Sequence, residues 1–443
     1  MRLLLAGAGA AVAVLALATP AWAHGADAPD GTDYRTTVTS VSPAAAGLRV
    51  RAVEAGARLE LTNHTGTTVE VLGYSNEPYL EVRPDGVYEN VHSPAVYLNA
   101  TLSGSATLPP AADPTLPPSW RQASTVPVVR WHDHRSHWML STPPPSVAAD
   151  RSKPQRIRDW VVPLRAGGVS TMEVRGTLDW VPPPAAGVWW AWIVVAGLGV
   201  AFLGLVGRLG GLVRSLSVHG LASSAPSPSS ASSSSSAPSP SSAAASSSPA
   251  ASSSPAASSS SLPAASSLPA SAAAGWEPPP PSTPARWVLP VLAGVAAVAG
   301  VAAVVYAVGR EVDAGNDGFG ALVRGLFAGQ IWPVLTGLAA IAAALHALFR
   351  RPAADFALAL AGICVAIFAG VSNAAAFGTG IVPFEWSPTL GRVLVAVAIA
   401  GGAGVTGAAA LRMRATAGRP PLPSARRPVE DQPTGTPAVE SGA

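Results

Sequence analysis

AAGVWWAWIVVAGLGVAFLGLVG, residues 185–207, divides the chain into two regions of different chemistry. These 23 residues carry no charge, enough for a helix to cross the hydrocarbon of a bilayer, which takes roughly 20. They open with Trp189, Trp190 and Trp192, a set suited to the lipid–water interface. A membrane span is therefore expected here. The whole chain of 443 residues is 49% hydrophobic and only 12% charged, against roughly 25% charged in soluble domains, so an ordinary soluble globule is excluded.

Downstream, residues 215–275 contain no Lys, Arg, Asp or Glu and are almost entirely Ser, Ala and Pro. Such a composition cannot bury enough apolar surface to order itself, and 208–286 is expected to be a disordered linker. For its roughly 70 residues the flexible-coil relation gives a mean span of about 45–50 Å. Four further apolar stretches at 287–309, 326–349, 356–378 and 393–411 predict four more spans within 287–411, then a disordered tail at 412–443. Upstream, Arg2, the apolar run from Leu3 to Ala18, Pro20 and the small-residue site Ala21-Trp22-Ala23 match a secretory signal peptide over 1–23, with an uncleaved anchor as the competing reading. Arg208, Arg214, Arg286, Arg350, Arg351, Arg412 and Arg414 flank one set of span ends. The opposite loops carry Glu311, Asp313, Asp317 and Glu385. The positive-inside rule then puts 24–184 outside a plasma membrane, and the linker and tail in the cytoplasm.

Between His24 and Pro184 the apolar residues alternate as in half-buried strands. Strands are expected at Thr36–Val41, Leu48–Val53, Tyr79–Val82, Val126–Trp131, Arg158–Leu164 and Ser170–Trp180. Arg58–Thr62 and Thr67–Leu72 read as a hairpin around Asn63-His64-Thr65-Gly66, and Asp85-Gly86 marks another turn. Seven or more short strands in this length suggest an antiparallel sandwich.

The 28 basic residues include one lysine, Lys153, and form no arginine–aromatic cluster, so nucleic acid is not an expected partner. The single cysteine, Cys364, excludes an intrachain disulfide or CxxC site. No nucleophile elbow, phosphate loop, HExxH or dinucleotide fingerprint is present, and no catalytic residue is assigned.

Histidine is the enriched ligand type: six of eight lie before residue 184, three of them in WHDHRSHWM, residues 131–139. On a strand, His132 and His134 would share a face about 7 Å apart, with Asp133 and His137 on the other. Cleavage after Ala23 would let the α-amino group and imidazole of His24 chelate one ion, an arrangement that suits Cu(II). A third nitrogen from His132, His134 or His137 would complete the site, with Asp133 as a weak oxygen ligand. The alternative is a solvated loop whose histidines hydrogen-bond to backbone and stack on Trp131 and Trp138. Tyr88, Asn90, His92, Ser93, Tyr97 and Asn99 either line a pocket or belong to a connection packed on the sandwich. In the membrane region, His346, Cys364 and Asp355 beside Arg351 are the ionisable groups of note, with boundary or packing roles expected.

A secreted β domain beginning with histidine and followed by several spans resembles the CopC-type periplasmic copper proteins joined to CopD-like membrane partners, though this region is longer and the spans fewer. GVYENVHSPAVYLNAT (86–101), RWHDHRSHWM (130–139), DWVVPL (159–164) and TLDWVPPP (177–184) are similar to an uncharacterised group of actinobacterial secreted membrane proteins. That similarity implies a Gram-positive envelope and brings no activity with it.

The expected fold is mixed: an extracytoplasmic all-β sandwich, Ig-like or CopC-like, then a helical membrane region of five spans interrupted by the Ser/Ala/Pro linker. The expected function is non-enzymatic binding of copper through His24, His132, His134, His137 and Asp133, for metal handling or tolerance. Membrane lipid and a metal-delivery or envelope protein are the expected partners. The other reading is an envelope protein whose β domain binds a protein or wall component.

Overall fold

The computed structural model describes residues 30–168, 170–222 and 286–417. The expected signal peptide, His24, most of the Ser/Ala/Pro linker and nearly all of the tail lie outside these residues. The chain divides into a unit of Met1–Gly207 with Ala285–Ala443 and a second of Arg208–Pro284.

Ten strands build the β domain: β1 (Tyr34–Ser42), β2 (Leu48–Val53), β3 (Arg58–Asn63), β4 (Val69–Leu72), β5 (Pro78–Arg83), β6 (Gly86–Asn90), β7 (Trp120–Ser124), β8 (Val128–Trp131), β9 (Gln155–Ala166) and β10 (Ser170–Trp180). They form an antiparallel sheet in the order β1-β10-β9-β4-β5-β6-β7 and a second in the order β2-β3-β8. One apolar core joins the two. Leu59 and Leu61 of β3 and Trp131 of β8 pack with Val71, Val82, Trp160, Val162, Leu164, Val174 and Leu178 of the larger sheet. Alternation explains the arrangement: in β10 the inward Met172, Val174 and Leu178 are buried, whereas Arg175 is exposed.

The hairpin expected from Arg58 to Leu72 does not form. β3 pairs with β2 and β8, while β4 pairs with β5 and β9, so the intervening turn carries the chain from one sheet to the other. Asn63 fixes the crossing: its buried amide donates to the carbonyls of Thr67 (2.7 Å) and Val82 (2.6 Å), bonds available only if the chain leaves the sheet there. The Asp85-Gly86 turn does join two paired strands, with Arg83 opposite Gly86.

Two short helices, α1 (Pro94–Leu98) and α2 (Pro145–Ala149), complete the β domain. The helical region comprises α3 (Ala186–Ala222), α4 (Val288–Asp313), α5 (Phe319–Ala328), α6 (Ile331–Leu348), α7 (Ala354–Val365) and α8 (Pro388–Ala417). Helix α7 continues through a π turn at Ala366–Gly370 and a 3₁₀ stretch at Val371–Phe377. Among the described residues, five segments are long and apolar enough to cross a membrane: Ala186–Val206, Val288–Asp313, Ile331–Leu348, Ala354–Phe377 and Pro388–Ala415. Several boundaries differ from the sequence expectation: α4 runs past 309 to Asp313, the third span begins at Ile331 because residues 326–328 belong to α5, and α8 begins at Pro388. α3 runs on to Ala222 and α8 to Ala417, and no proline intervenes before either end.

Alanine and glycine dominate the bundle core, allowing close approach of backbones. A Cβ on Gly300 of α4 would lie 2.5 Å from the Gly337 carbonyl of α6. Asp355 pairs with Arg412 (2.8 Å) rather than the neighbouring Arg351, joining α7 to α8. His346 Nε2 meets the Pro352 carbonyl (2.9 Å) just beyond the end of α6.

The β domain rests on the bundle through its smaller sheet. Arg51, Glu60 and Arg130 stand side by side across β2, β3 and β8, and Glu60 accepts from both Arg51 Nε and Arg130 Nε at 2.7 Å. Each arginine also donates to the Gly315 carbonyl beyond α4, at 3.3 and 2.8 Å, and Arg51 pairs with Asp317. Gly315 has φ +81°, and a Cβ there would meet Glu60 at 2.7 Å, so the close approach requires glycine.

Candidate functional site

The HDHRSH run leaves its strand at Trp131, so the alternating geometry expected for His132 to His137 is replaced by a folded loop. Its first half is built into the core. His132 is 1% exposed; its Nε2 accepts from Arg58 Nε (3.3 Å), which assigns the proton to Nδ1, and Nδ1 donates to the Ala57 carbonyl (2.7 Å). Asp133 is fully buried, with both oxygens engaged. Oδ1 accepts from Arg135 Nε (2.8 Å) and the Arg135 amide (3.1 Å), and Oδ2 from Arg135 Nη2 (2.8 Å) and Trp131 Nε1 (3.0 Å). His132 and Asp133 are thus framework groups, with no lone pair turned toward a metal.

The second half differs. His134 stacks on Tyr74 (ring centroids 6.0 Å apart), and its Nε2 faces the Thr101 carbonyl at 3.3 Å. Arg158 holds the loop from below, donating to the carbonyls of His134 and His137. The His137 ring lies 6.4 Å from that of His132, and its Nε2 is buried with no hydrogen-bond partner. Burial is the main cause that lowers the His137 pKa to about 4; His132 and His134 act in the same direction, while Asp133 and the Ala57 backbone oppose it. The imidazole is neutral at physiological pH.

His137 lines a cleft of about 170 Å3 formed with Gly31, Thr32, Tyr34, Ala55, Gly56, Ala57, Leu102 and Trp138. Gly31 and Thr32 form one wall, seven and eight residues after His24. Among the described residues no group of three or more His, Cys, Asp or Glu side chains is placed to hold a metal ion. The structure therefore brings His132 and His137 near each other, puts His134 on the Tyr74 side, and leaves His24 outside the described residues.

The 88–99 segment contains strand β6 and helix α1 rather than a long connection. Asn90 closes it, donating to the Pro78 carbonyl and accepting from the amides of His92 and Ser119. Ser93 caps α1 through the Ala95 amide and donates to the buried Glu77 (2.6 Å). Asn99 bonds Tyr74 through its oxygen, and its amide nitrogen is buried without a partner. These groups shape the fold around the loop.

Sequence reasoning missed a polar cluster where the bundle meets the β domain. Arg310 and Asn373 are 5% and 4% exposed and bonded at 2.7 Å; Asp30 lies 3.6 Å from Arg310. Arg392 donates to the carbonyls of Ala376 (2.9 Å), Thr379 (2.7 Å) and Gly380 (2.9 Å). Arg310 and Arg392 lie one turn inside the ends of largely apolar helices, and that placement was the available signal. The sequence reading of the bundle considered only His346, Cys364 and Asp355.

No protein-family model matches the chain, and neither a curated protein nor a solved structure matches it.

Proposed function

We propose that this is a multi-pass membrane protein whose β domain lies outside the cell and binds a transition metal, copper, in the cleft beside His137, for metal handling at the envelope. The observations that carry the reading are the buried Nε2 of His137, which has no hydrogen-bond partner, and a cleft that His137 lines together with Gly31 and Thr32, the chain just after His24. A neutral imidazole with a ring nitrogen free of hydrogen bonds is suited to bind a metal ion. An extended chain gains about 3.3–3.6 Å per residue, so the seven residues from His24 to Gly31 span up to about 25 Å. That length lets the amine and imidazole of His24 return to the cleft once the signal peptide is removed. Three nitrogens then meet one ion in the tetragonal set that Cu(II) favours. Relative to the ligand set read from sequence, His132 and Asp133 support the cleft, His137 is the third nitrogen, and His134 stands at its edge.

The test is a Cu(II) titration followed by electron paramagnetic resonance, on the full-length chain in detergent, with its amino terminus at His24 verified by mass spectrometry. One tight equivalent with a nitrogen-rich tetragonal spectrum is expected. It should be lost in His137→Ala and in a form carrying one extra residue before His24, and retained in His134→Ala. Weak, heterogeneous binding insensitive to His137 refutes the copper reading and leaves the β domain as a binding module for a protein or wall component.

A further inference from the structure

The cleft is not a property of the β domain alone, because the bundle holds two of its walls. Thr32 pairs with Ile381 in both directions, its amide donating to the Ile381 carbonyl (3.1 Å) and its carbonyl accepting from the Ile381 amide (2.7 Å). Next to it, a Cβ on Gly31 would lie 2.3 Å from Thr379 Oγ1, so this wall sits in van der Waals contact with the 379–381 loop. On the second wall the amide of Ala55 donates to Asp313 Oδ2 (2.8 Å), and that of Glu54 to the Asp313 carbonyl (3.0 Å), at the end of α4. Glu54 and Ala55 have φ of +56° and +54°, a conformation that non-glycine residues keep only when their surroundings hold it.

The bundle groups that grip these walls lead to an irregular span. Asp30, next to Gly31, approaches Arg310; Arg310 donates to Asn373 Oδ1; and Asn373 Nδ2 donates to the Ala369 carbonyl in the π turn (2.9 Å). Asn373 itself has a non-helical backbone (φ −110°, ψ 15°). Arg392 ties the carbonyls of Ala376, Thr379 and Gly380, and so fixes the loop that carries Ile381. π turns and broken spans recur at functional elements, and a broken span persists only where neighbours satisfy its freed backbone groups. Here the groups that satisfy it are continuous with the walls of the cleft.

We infer that the cleft and the broken fourth span are one coupled element: the bundle shapes the cleft, and filling the cleft tightens residues 371–384. The ligand-driven half of this statement rests on the proposed binding at His137; the structural half does not. By linkage, a ligand that favours the docked arrangement must also favour the span geometry that goes with it.

The structural half is tested without metal in the full-length chain. In a Cys364→Ser background, Leu102→Cys places the only thiol at the cleft, and its rate of maleimide alkylation reports access. Ile381→Pro removes the amide that bonds Thr32, and Asp313→Ala removes the acceptor for Ala55. Each should raise the rate about five- to ten-fold, the effect of one lost buried hydrogen bond on local opening. If Ile381→Pro yields no monodisperse protein, Asp313→Ala decides. Unchanged rates in folded variants overturn the coupling. For the ligand half, Cu(II) is added to the parent protein and hydrogen exchange is followed over 371–384. Slower exchange that disappears in His137→Ala is expected; copper bound with no change in that segment overturns the coupling. Rates that respond to the bundle variants in a chain that binds no copper would refute the metal reading and the ligand-driven half with it, and leave the structural half standing.

Discussion

Replacing Asp133 by alanine separates the framework half of the HDHRSH loop from its proposed ligand half. The carboxylate is completely buried and accepts four hydrogen bonds, three from Arg135 and one from Trp131. Its removal leaves the Arg135 guanidinium, whose side chain is only 20% exposed, without its counter-charge and Trp131 Nε1 without an acceptor. Breaking a buried pair from one side costs about 3–5 kcal/mol, since the surviving charge stays desolvated. For a β domain of about 150 residues with an unfolding entropy near 2.1 cal/mol/K per residue, that corresponds to a melting midpoint lower by about 10–16 °C. The assay is thermal unfolding of the full-length protein in detergent, followed by near-ultraviolet circular dichroism, which reports the packing of Trp131 and Trp160. The contrast is His134→Ala, which removes a stacked, partly exposed ring with one 3.3 Å contact and should shift the midpoint by about 2 °C or less. If Asp133→Ala melts with the parent, or His134→Ala falls as far as Asp133→Ala, the division of the loop is refuted.

The pH dependence of stability should carry the signature of His137. Its folded pKa of about 4 lies below the value near 6.5 of an unfolded histidine, so the folded state disfavours the proton. The group costs no stability above pH 6.5, and the loss grows as pH falls toward 4, reaching about 3 kcal/mol. Metal-free melts from pH 7.5 to 4 should therefore fall more steeply in the parent than in His137→Leu; parallel curves would count against it. Gly176→Ala would place a Cβ 2.0 Å from the Trp160 ring and 2.4 Å from the Thr37 carbonyl, and should destabilise by about 1–3 kcal/mol through overpacking, read as a lower melting midpoint. Arg392→Met removes three bonds to the carbonyls of Ala376, Thr379 and Gly380, and limited proteolysis should then cut within 376–387 at protease levels that spare the parent. Equal cleavage patterns would show that the loop does not depend on Arg392.

Strand positions were legible because alternation survives in the sequence: Leu48–Val53 and Ser170–Trp180 form over the residues read from pattern. Strand partners were not. Asn63-His64-Thr65-Gly66 has the chemistry of a hairpin turn, yet Asn63 spends its amide on Thr67 and Val82 and sends the chain to the other sheet, a long-range choice that local pattern does not encode. The spans were legible for a similar reason, since twenty apolar residues admit few other readings. The break at Asn373 was hidden, because it depends on Arg310 from another helix, 63 residues away in sequence. In the loop, histidine spacing pointed to chemistry, while burial decides which groups remain available. His132 and Asp133 are taken up by Ala57, Arg58, Trp131 and Arg135, partners that proximity in sequence gives only in part.

The two halves of the chain explain features in each other that neither explains alone. A left-handed conformation at a non-glycine residue costs of order 1–3 kcal/mol, and the β2–β3 turn holds two in succession at Glu54 and Ala55. Gly56 follows with φ +88°, so three successive residues of the turn are left-handed and only the third is glycine. What the strained turn achieves is to aim two successive amides at the carbonyl and carboxylate of Asp313. The same logic applies on the bundle side. Arg310 within a membrane helix is costly unless paired, and its partners are Asn373, where the fourth span breaks, and Asp30, where the β domain begins. Backbone strain in one half and a buried charge in the other thus meet at a single junction, beside His137, whose Nε2 is buried without a hydrogen-bond partner. A domain that served only to be tethered would need neither; their convergence on the cleft is the physical reason to read the β domain and the bundle as parts of one working unit.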